Sequence, residues 1–318
     1  MNPSTVAVTG ATGFIGRHLL RTLTEAGHHV RALTRSSPPS DIVLPDGQVT
    51  WIAGSLSQKE TLKTLTQGSD AVVHCAGAIK ALSRETFLEM NGTGTANLIE
   101  AASEQSSPPR FIHLSSLAAR EPRLSPYAAS KRLGEQMAWG ARSKLPVTIL
   151  RPPAVYGPGD METLRIFKMA ARGFVPAPMV AGARTSLAHV SDVVGAVVAA
   201  LALEVPPDAP VEFDDGHPGG YTWAEIASAA GAALHTTPRL VPVSAAVLYL
   251  AGAAGSLGAA LSRRPTVLSW GKVPELLHPD WMAGPCDLPG YNPLWNIEKG
   301  FKDAVNWYAS RGLLTSNG

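Results

Sequence analysis

The chain has 318 residues, 45% of them hydrophobic and only 16% charged, with a formal net charge of +2. That length and apolar content suit one large folded domain or two intimate ones and exclude an intrinsically disordered chain. The balanced charge, with no basic tail or like-charge run, speaks against a nucleic-acid binder. The two cysteines, Cys75 and Cys286, support neither a disulfide framework nor a zinc site.

Met1–Ser4 leads straight into a strand-like run, with no basic segment followed by an apolar one, so the expected compartment is the cytoplasm. Apolar runs at Thr5–Thr9, His29–Thr34, Val49–Ala53, Ala71–Ala76, Arg110–Leu114 and Val147–Leu150 read as buried strands. Helical patterns such as Arg17–Ala26 lie between most of them, which predicts a parallel, doubly wound α/β sheet. From about Pro152 proline and glycine become dense and helices dominate, at Ser191–Glu204, Thr222–Leu234, Ser244–Leu261 and Ile297–Arg311. The expected organisation is a dinucleotide-binding domain over 1–150 and a smaller, mostly helical substrate-binding part over 151–318, from which the chain returns to the first domain in places.

Gly10, Gly13 and Gly16, in the run Thr9-Gly10-Ala11-Thr12-Gly13-Phe14-Ile15-Gly16, follow the first strand and open the first helix. Glycines at that spacing allow a tight turn, a close backbone approach to a pyrophosphate and tight packing of helix on strand. The helix N-terminus then offers N–H groups to the phosphates. The same residues would also serve an ordinary strand–helix turn; their flanks favour the dinucleotide. At the end of the second strand Thr34 stands where an acid would bind the adenosine ribose, and Arg35 follows. A guanidinium there suits a 2′-phosphate, which favours NADP (NADPH) over NAD.

Tyr127 and Lys131 lie four residues apart, on one helical face. A nearby ammonium lowers a phenol's pKa toward the range useful for proton transfer. Upstream, Phe111–Leu114 ends in Ser115 and Ser116, placed to hydrogen-bond the same substrate oxygen as the tyrosine.

Taken together, these motifs resemble the short-chain dehydrogenase/reductase superfamily in its extended, epimerase/dehydratase-like branch, whose fold is of the Rossmann type. The resemblance also covers His74–Gly77, Asn91–Thr95, Arg151–Asp160 and, weakly, His189–Val193. It implies Tyr127 as general acid/base, Lys131 as its partner and ribose ligand, Ser116 as polariser of the substrate oxygen with Ser115 as fallback, and Asn91 as support for the lysine. It implies cofactor contacts from Gly10, Thr12, Gly13, Phe14, Ile15, Gly16, Cys75, Ala76, Gly77, Pro152 and Val155. Ser55-Leu56 stands where the family has Asp-Leu at the adenine. Other histidines carry no expected chemistry: His28 and His29 read as solvated, His113 as a satisfied interior residue and His189 as packing. Trp295 and Trp307 read as core.

For the substrate, the C-terminal part is slightly acidic, and Thr185 stands where sugar epimerases commonly carry an arginine, with Arg184 one residue away. Leu240–Ser262, by contrast, is 23 residues without a charge, bounded by Arg239 and Arg263-Arg264. Val247, Leu250, Ala254, Leu257 and Leu261 fall on one helical face. The segment reads as a helix on the inner surface of a membrane, as a lid over an apolar substrate, or as a core helix. Few residues separate the serines from Tyr127, a pattern similar to the atypical extended members that reduce steroid and lipid ketones, including bacterial reductases of 3-oxo-ceramide or 3-oxo-sphingoid lipids. The expected activity is NADPH-dependent reduction of a hydrophobic ketone, with a nucleotide-sugar epimerase or dehydratase and a non-catalytic NADPH-binding subunit as alternatives. Expected partners are that substrate, a membrane surface and a second copy of the chain.

Overall fold

The structure is a computed structural model, described here for residues 4–39, 44–45 and 47–314. The first half alternates as expected: β1 (Thr5–Thr9), α1 (Phe14–Glu25), β2 (His29–Thr34), β3 (Val49–Ala53), α2 (Lys59–Thr66), β4 (Ala71–His74), α3 (Arg84–Leu88), α4 (Gly94–Ser103), β5 (Arg110–Leu114), α5 (Pro126–Gly140) and β6 (Val147–Arg151). Next come β7 (Ala154–Tyr156), α6 (Thr163–Ala171), β8 (Phe174–Pro178), β9 (Arg184–Thr185), β10 (Leu187–His189), α7 (Val190–Ala202), β11 (Val211–Glu212) and α8 (Trp223–Leu234). The chain closes with β12 (Arg239–Val243), α9 (Ala245–Ser262), α10 (Val273–Leu276), β13 (Asp280–Trp281) and α11 (Ile297–Ser310).

A seven-stranded sheet runs β11-β6-β5-β4-β1-β2-β3. The pairings from β3 through β6 are parallel, with Val6 opposite both Val30 and Ala71. This is the order of a Rossmann-type doubly wound fold. Leu62, Leu65, Leu98, Phe111, Val147 and Ile149 form a core against the sheet. The ligand end of such a sheet lies at the carboxyl ends of its strands, where the loops after β1, β4 and β5 emerge.

Contacts divide the chain into two compact units. One comprises Met1–Arg151, Val194–Val211 and Asp287–Tyr291; the other comprises Pro152–Val193, Glu212–Cys286 and Asn292–Gly318. The second has its own core, in which Tyr156, Phe167, Phe301 and Tyr308 meet edge to face or tilted. Trp307 packs against that core. Trp295 stacks on the buried His189 at 4.1 Å between ring centroids, and His189 faces Asp303 at 3.3 Å.

Three local expectations need correction. His28 is buried rather than solvated, 2.8 Å from the Ser4 hydroxyl. His113 is interior but not satisfied: both ring nitrogens lack a hydrogen-bond partner among the described residues. Strand β4 stops at His74, two residues early, because Cys75–Gly77 bends over the glycine loop and the Ala76 N–H turns to the Thr9 hydroxyl at 3.3 Å.

Candidate active site

The loop after β1 is built for close approach. Gly10 sits at φ +72°, and a Cβ there would lie 2.6 Å from the Ala76 nitrogen. A Cβ on Gly16 would lie 2.1 Å from the Gly10 carbonyl oxygen, so neither position admits a side chain. Arg17 braces the turn by donating Nε to the Thr12 carbonyl at 3.0 Å. Gly13 begins α1 with no side-chain cap. The first-turn N–H groups of Phe14, Ile15 and Gly16 therefore have no side-chain acceptor, and the dipole end of α1 suits an anion. A tight glycine turn packed backbone to backbone, beside a helix N-terminus with no side-chain cap, fits a dinucleotide pyrophosphate.

At the other end of that cradle Thr34 is buried and donates to the Ser36 carbonyl at 2.7 Å. Arg35 is exposed and makes no hydrogen bond or ion pair among the described residues. Ser55 Oγ lies 2.8 Å from Ser57 Oγ, and the Leu56 carbonyl accepts from Asn97 at 2.9 Å. The Ser55 hydroxyl thus occupies a neutral site where the resemblance expects an acid.

The catalytic candidates converge from β5, α5 and the turn before α4. Ser125 caps α5 by accepting from the Ala128 N–H at 2.9 Å, and Pro126 follows in the first turn. That start places Tyr127 in the first turn and Lys131 one turn on. Tyr127 is half-buried, its ring edge-to-face with Phe87 at 6.1 Å. Lys131 is buried and donates from Nζ to the Leu114 carbonyl at 2.8 Å. Burial lowers its pKa to about 8, while Glu135 and Cys75 act to raise it. Asn91, in a π-helical turn at Glu89–Thr93, accepts from the Ala78 N–H at 2.7 Å and donates to the Ala78 carbonyl and Ser130 Oγ. It thereby holds the strand-end segment against α5. A Cβ on Gly77 would lie 3.2 Å from Asn91 Oδ1 and 3.7 Å from Lys131 Nζ, so this glycine backs onto both.

The two serines part company. Ser115 Oγ is buried and donates to Glu135 Oε1 at 2.7 Å. Ser116 is half-buried and accepts only a long contact, 3.2 Å, from the Ala118 N–H it caps. Ser116 retains a hydroxyl proton to donate; Ser115 has committed its own. Glu135 also takes a bidentate ion pair from Arg151, both contacts at 2.7 Å. Sequence reasoning passed over this pair, although Glu135 follows Lys131 by one turn on the same face and Arg151 ends β6.

A second polar chain escaped the sequence as well. Thr9 Oγ1 lies 2.6 Å from His74 Nδ1, His74 Nε2 lies 2.9 Å from Thr95 Oγ1, and Thr95 donates to the Asn91 carbonyl at 2.7 Å. Burial and the Lys131 charge hold His74 down at about 3, and the same two causes, with His74, depress His113. Both rings are therefore neutral near pH 7. Burial pushes Cys75 up to about 12, so it is a thiol and not a nucleophile. Pro152 and Val155 fall in the second compact unit, where Val155 sits opposite Ala188 in the β7–β10 pair. Among the described residues no cluster of ligands could hold a metal ion.

The chain is 39% identical over 313 residues to the ceramide reductase of Caulobacter vibrioides (strain NA1000 / CB15N), covering 98% of this chain and 96% of that protein. It is 32% identical over 188 residues to the 2-alkyl-3-oxoalkanoate reductase of Stenotrophomonas maltophilia (strain K279a), covering 53% of this chain and 56% of that one. Its fold matches the crystal structure of gox2253, with a TM-score of 0.77 at 22% identity over 99% of this chain and 100% of that one. It also matches a UDP-glucuronic acid 4-epimerase from Bacillus cereus in complex with NAD, with a TM-score of 0.72 at 18% identity over 96% and 99% of the two chains. The model of the NAD dependent epimerase/dehydratase family matches residues 6–210. With its glycine cradle and its serine, tyrosine and lysine on one sheet end, the chain belongs to that family as an NAD(P)-dependent oxidoreductase of the extended short-chain type.

Proposed function

We propose that the protein is an NADPH-dependent reductase of a hydrophobic ketone, a 3-oxo lipid of the ceramide or sphingoid kind. The observation that carries this reading is the 39% identity, over nearly both full lengths, to a protein named for reducing ceramide. A second relative is named for reducing a 3-oxo acid, which supports the same carbonyl chemistry.

When bound, NADPH would supply a hydride for the carbonyl carbon. Ser116 Oγ donates a hydrogen bond to the carbonyl oxygen and so favours the negative charge that grows there. Tyr127 gives its phenol proton to that oxygen. Lys131, charged at neutral pH and held by the Leu114 carbonyl, stabilises the phenolate left behind. Asn91 fixes the Ala78 backbone and α5, and with them the spacing of the lysine and the cofactor-side loop. Arg35 would hold the 2′-phosphate of that cofactor. The enzyme works from the cytoplasm at the inner face of a membrane, where such a substrate resides.

The nucleotide-sugar alternative keeps one observation: three fold neighbours carry the name epimerase, one of them a UDP-glucuronic acid 4-epimerase. Against it, Arg184 already donates to the Gly220 carbonyl at 3.1 Å and has the Glu225 carboxylate 4.0 Å away, an acid beside the position where a substrate pyrophosphate would need a cation. The test is NADPH oxidation with 3-oxo lipids, steroid ketones and nucleotide-sugars. Turnover on the 3-oxo lipids supports the proposal; sugar epimerisation without net NADPH consumption would overturn it.

A further inference from the structure

Residues 226–274 contain no aspartate or glutamate, yet hold Arg239, Arg263, Arg264 and Lys272. Lys272 pairs with Glu275 just beyond the stretch. The three arginines are exposed and make no ion pair among the described residues. Helix α9 lies within this stretch, and Gly252 is its one buried residue. Val247 (53% exposed), Leu250 (71%), Leu257 (63%) and Leu261 (78%) form a bare apolar stripe along it.

The opposite face of α9 is taken by the returning chain. A Cβ on Gly252 would lie 2.9 Å from Val273 Cγ2, and one on Gly255 would lie 2.2 Å from the Leu268 carbonyl oxygen. The Trp270 N–H donates to Ser256 Oγ at 3.0 Å, and the half-exposed Trp270 ring lies 4.7 Å from Tyr249. The segment is therefore a closed hairpin. Its entry strand β12 pairs with β8, and its exit packs back along the helix. Helix α9 is long and apolar enough to cross a bilayer by length and composition, but its two ends belong to one compact unit and the returning chain packs along it, an arrangement that suits a helix lying on a surface.

We infer that this hairpin docks on an anionic lipid monolayer. The leucine stripe enters the acyl boundary, the Tyr249–Trp270 pair sits at headgroup depth, and Arg239, Arg263 and Arg264 meet lipid phosphates. Charge decides against a second copy of the chain. A self-complementary contact centred on α9 would bring this stretch against itself, arginine toward arginine, with no acid within it to pair them. The inference names the partner of a site whose purpose rests on the lipid-ketone reading, but the docking itself does not depend on the chemistry.

The test is flotation of the full-length protein with vesicles of phosphatidylcholine alone or mixed with phosphatidylglycerol. Wild type should float with the mixed vesicles, less so as salt is raised. Leu250→Gln/Leu257→Gln should lower that binding by roughly tenfold per leucine with an unchanged melting temperature. Arg263→Gln/Arg264→Gln should abolish the preference for phosphatidylglycerol. Failure of wild type to float, or a large loss of melting temperature in the leucine variant, overturns the inference. So does a lipid-free dimer that the leucine variant dissolves. A water-soluble short-chain 3-oxo substrate separates the two readings. If it is not reduced while flotation persists, the reductase reading falls and the docking stands; if it is reduced while flotation fails, the reverse holds.

Discussion

Lys131 carries a cost that a single substitution should expose. Burial drops its pKa from 10.5 to about 8. At about 1.4 kcal/mol per pH unit, holding the ammonium in place costs the fold about 3 kcal/mol wherever the lysine is charged in both states. Below about pH 8 that full cost is present. Between about 8 and 10.5 the unfolded chain keeps the proton that the folded chain has released, so stability rises with pH across that window. Lys131→Met keeps the length and removes the charge. It also loses the bond to the Leu114 carbonyl, worth about 1 kcal/mol. The variant should therefore be about 2 kcal/mol more stable than wild type at pH 7, and the advantage should vanish or reverse by pH 10.5, while reductase activity is lost. Urea unfolding of the cofactor-free pair at several pH values reads this. Taking the difference between the two proteins cancels the other groups that titrate in the range. A variant less stable than wild type at pH 7, or a difference that does not change with pH, would refute the account of a lysine held charged at the expense of the fold.

Tyr127→Phe keeps the ring against Phe87 but removes the proton. Turnover should fall by about two to four orders of magnitude with NADPH affinity retained, measured by steady-state kinetics and cofactor titration. Ser116→Ala should lower kcat with no change in melting temperature. Ser115→Ala should instead cost roughly 1–3 kcal/mol of stability, because buried Glu135 loses a donor; the opposite pattern would exchange their roles. Arg35→Ala should weaken NADPH by ~10–100-fold and leave NADH unchanged. Equal losses for both cofactors would remove the argument for the phosphate.

What could be read from the chain was what is local. The glycine cradle and the Tyr127–Lys131 pair each lie within one short segment, so spacing alone carried their geometry. Strand bounds such as Thr5–Thr9 held to the residue because a parallel strand covered on both faces needs consecutive apolar side chains, here the buried Val6, Ala7 and Val8. Ser115, Glu135 and Arg151 stayed hidden because their contact joins three elements that only the fold brings together. Taken alone, each has an ordinary explanation on its own element. His28 fails the same way: as a turn residue it reads as exposed, and only the return of Ser4 beside it supplies a partner and cover. Helix α9 shows the reverse problem. A stripe at 247, 250, 254, 257 and 261 is the same pattern whether it faces a core or a membrane, and its glycines look like weakness in either. The fold gives them a use, since Gly252 and Gly255 are where the returning chain touches the helix, and that contact turns the leucines outward. The feature on which the proposal of a lipid-facing helix rests is present in the sequence as an absence, the want of any acid from 226 to 274. A core helix has no reason to silence the acids in the loops around it, whereas a surface that must approach lipid phosphates does.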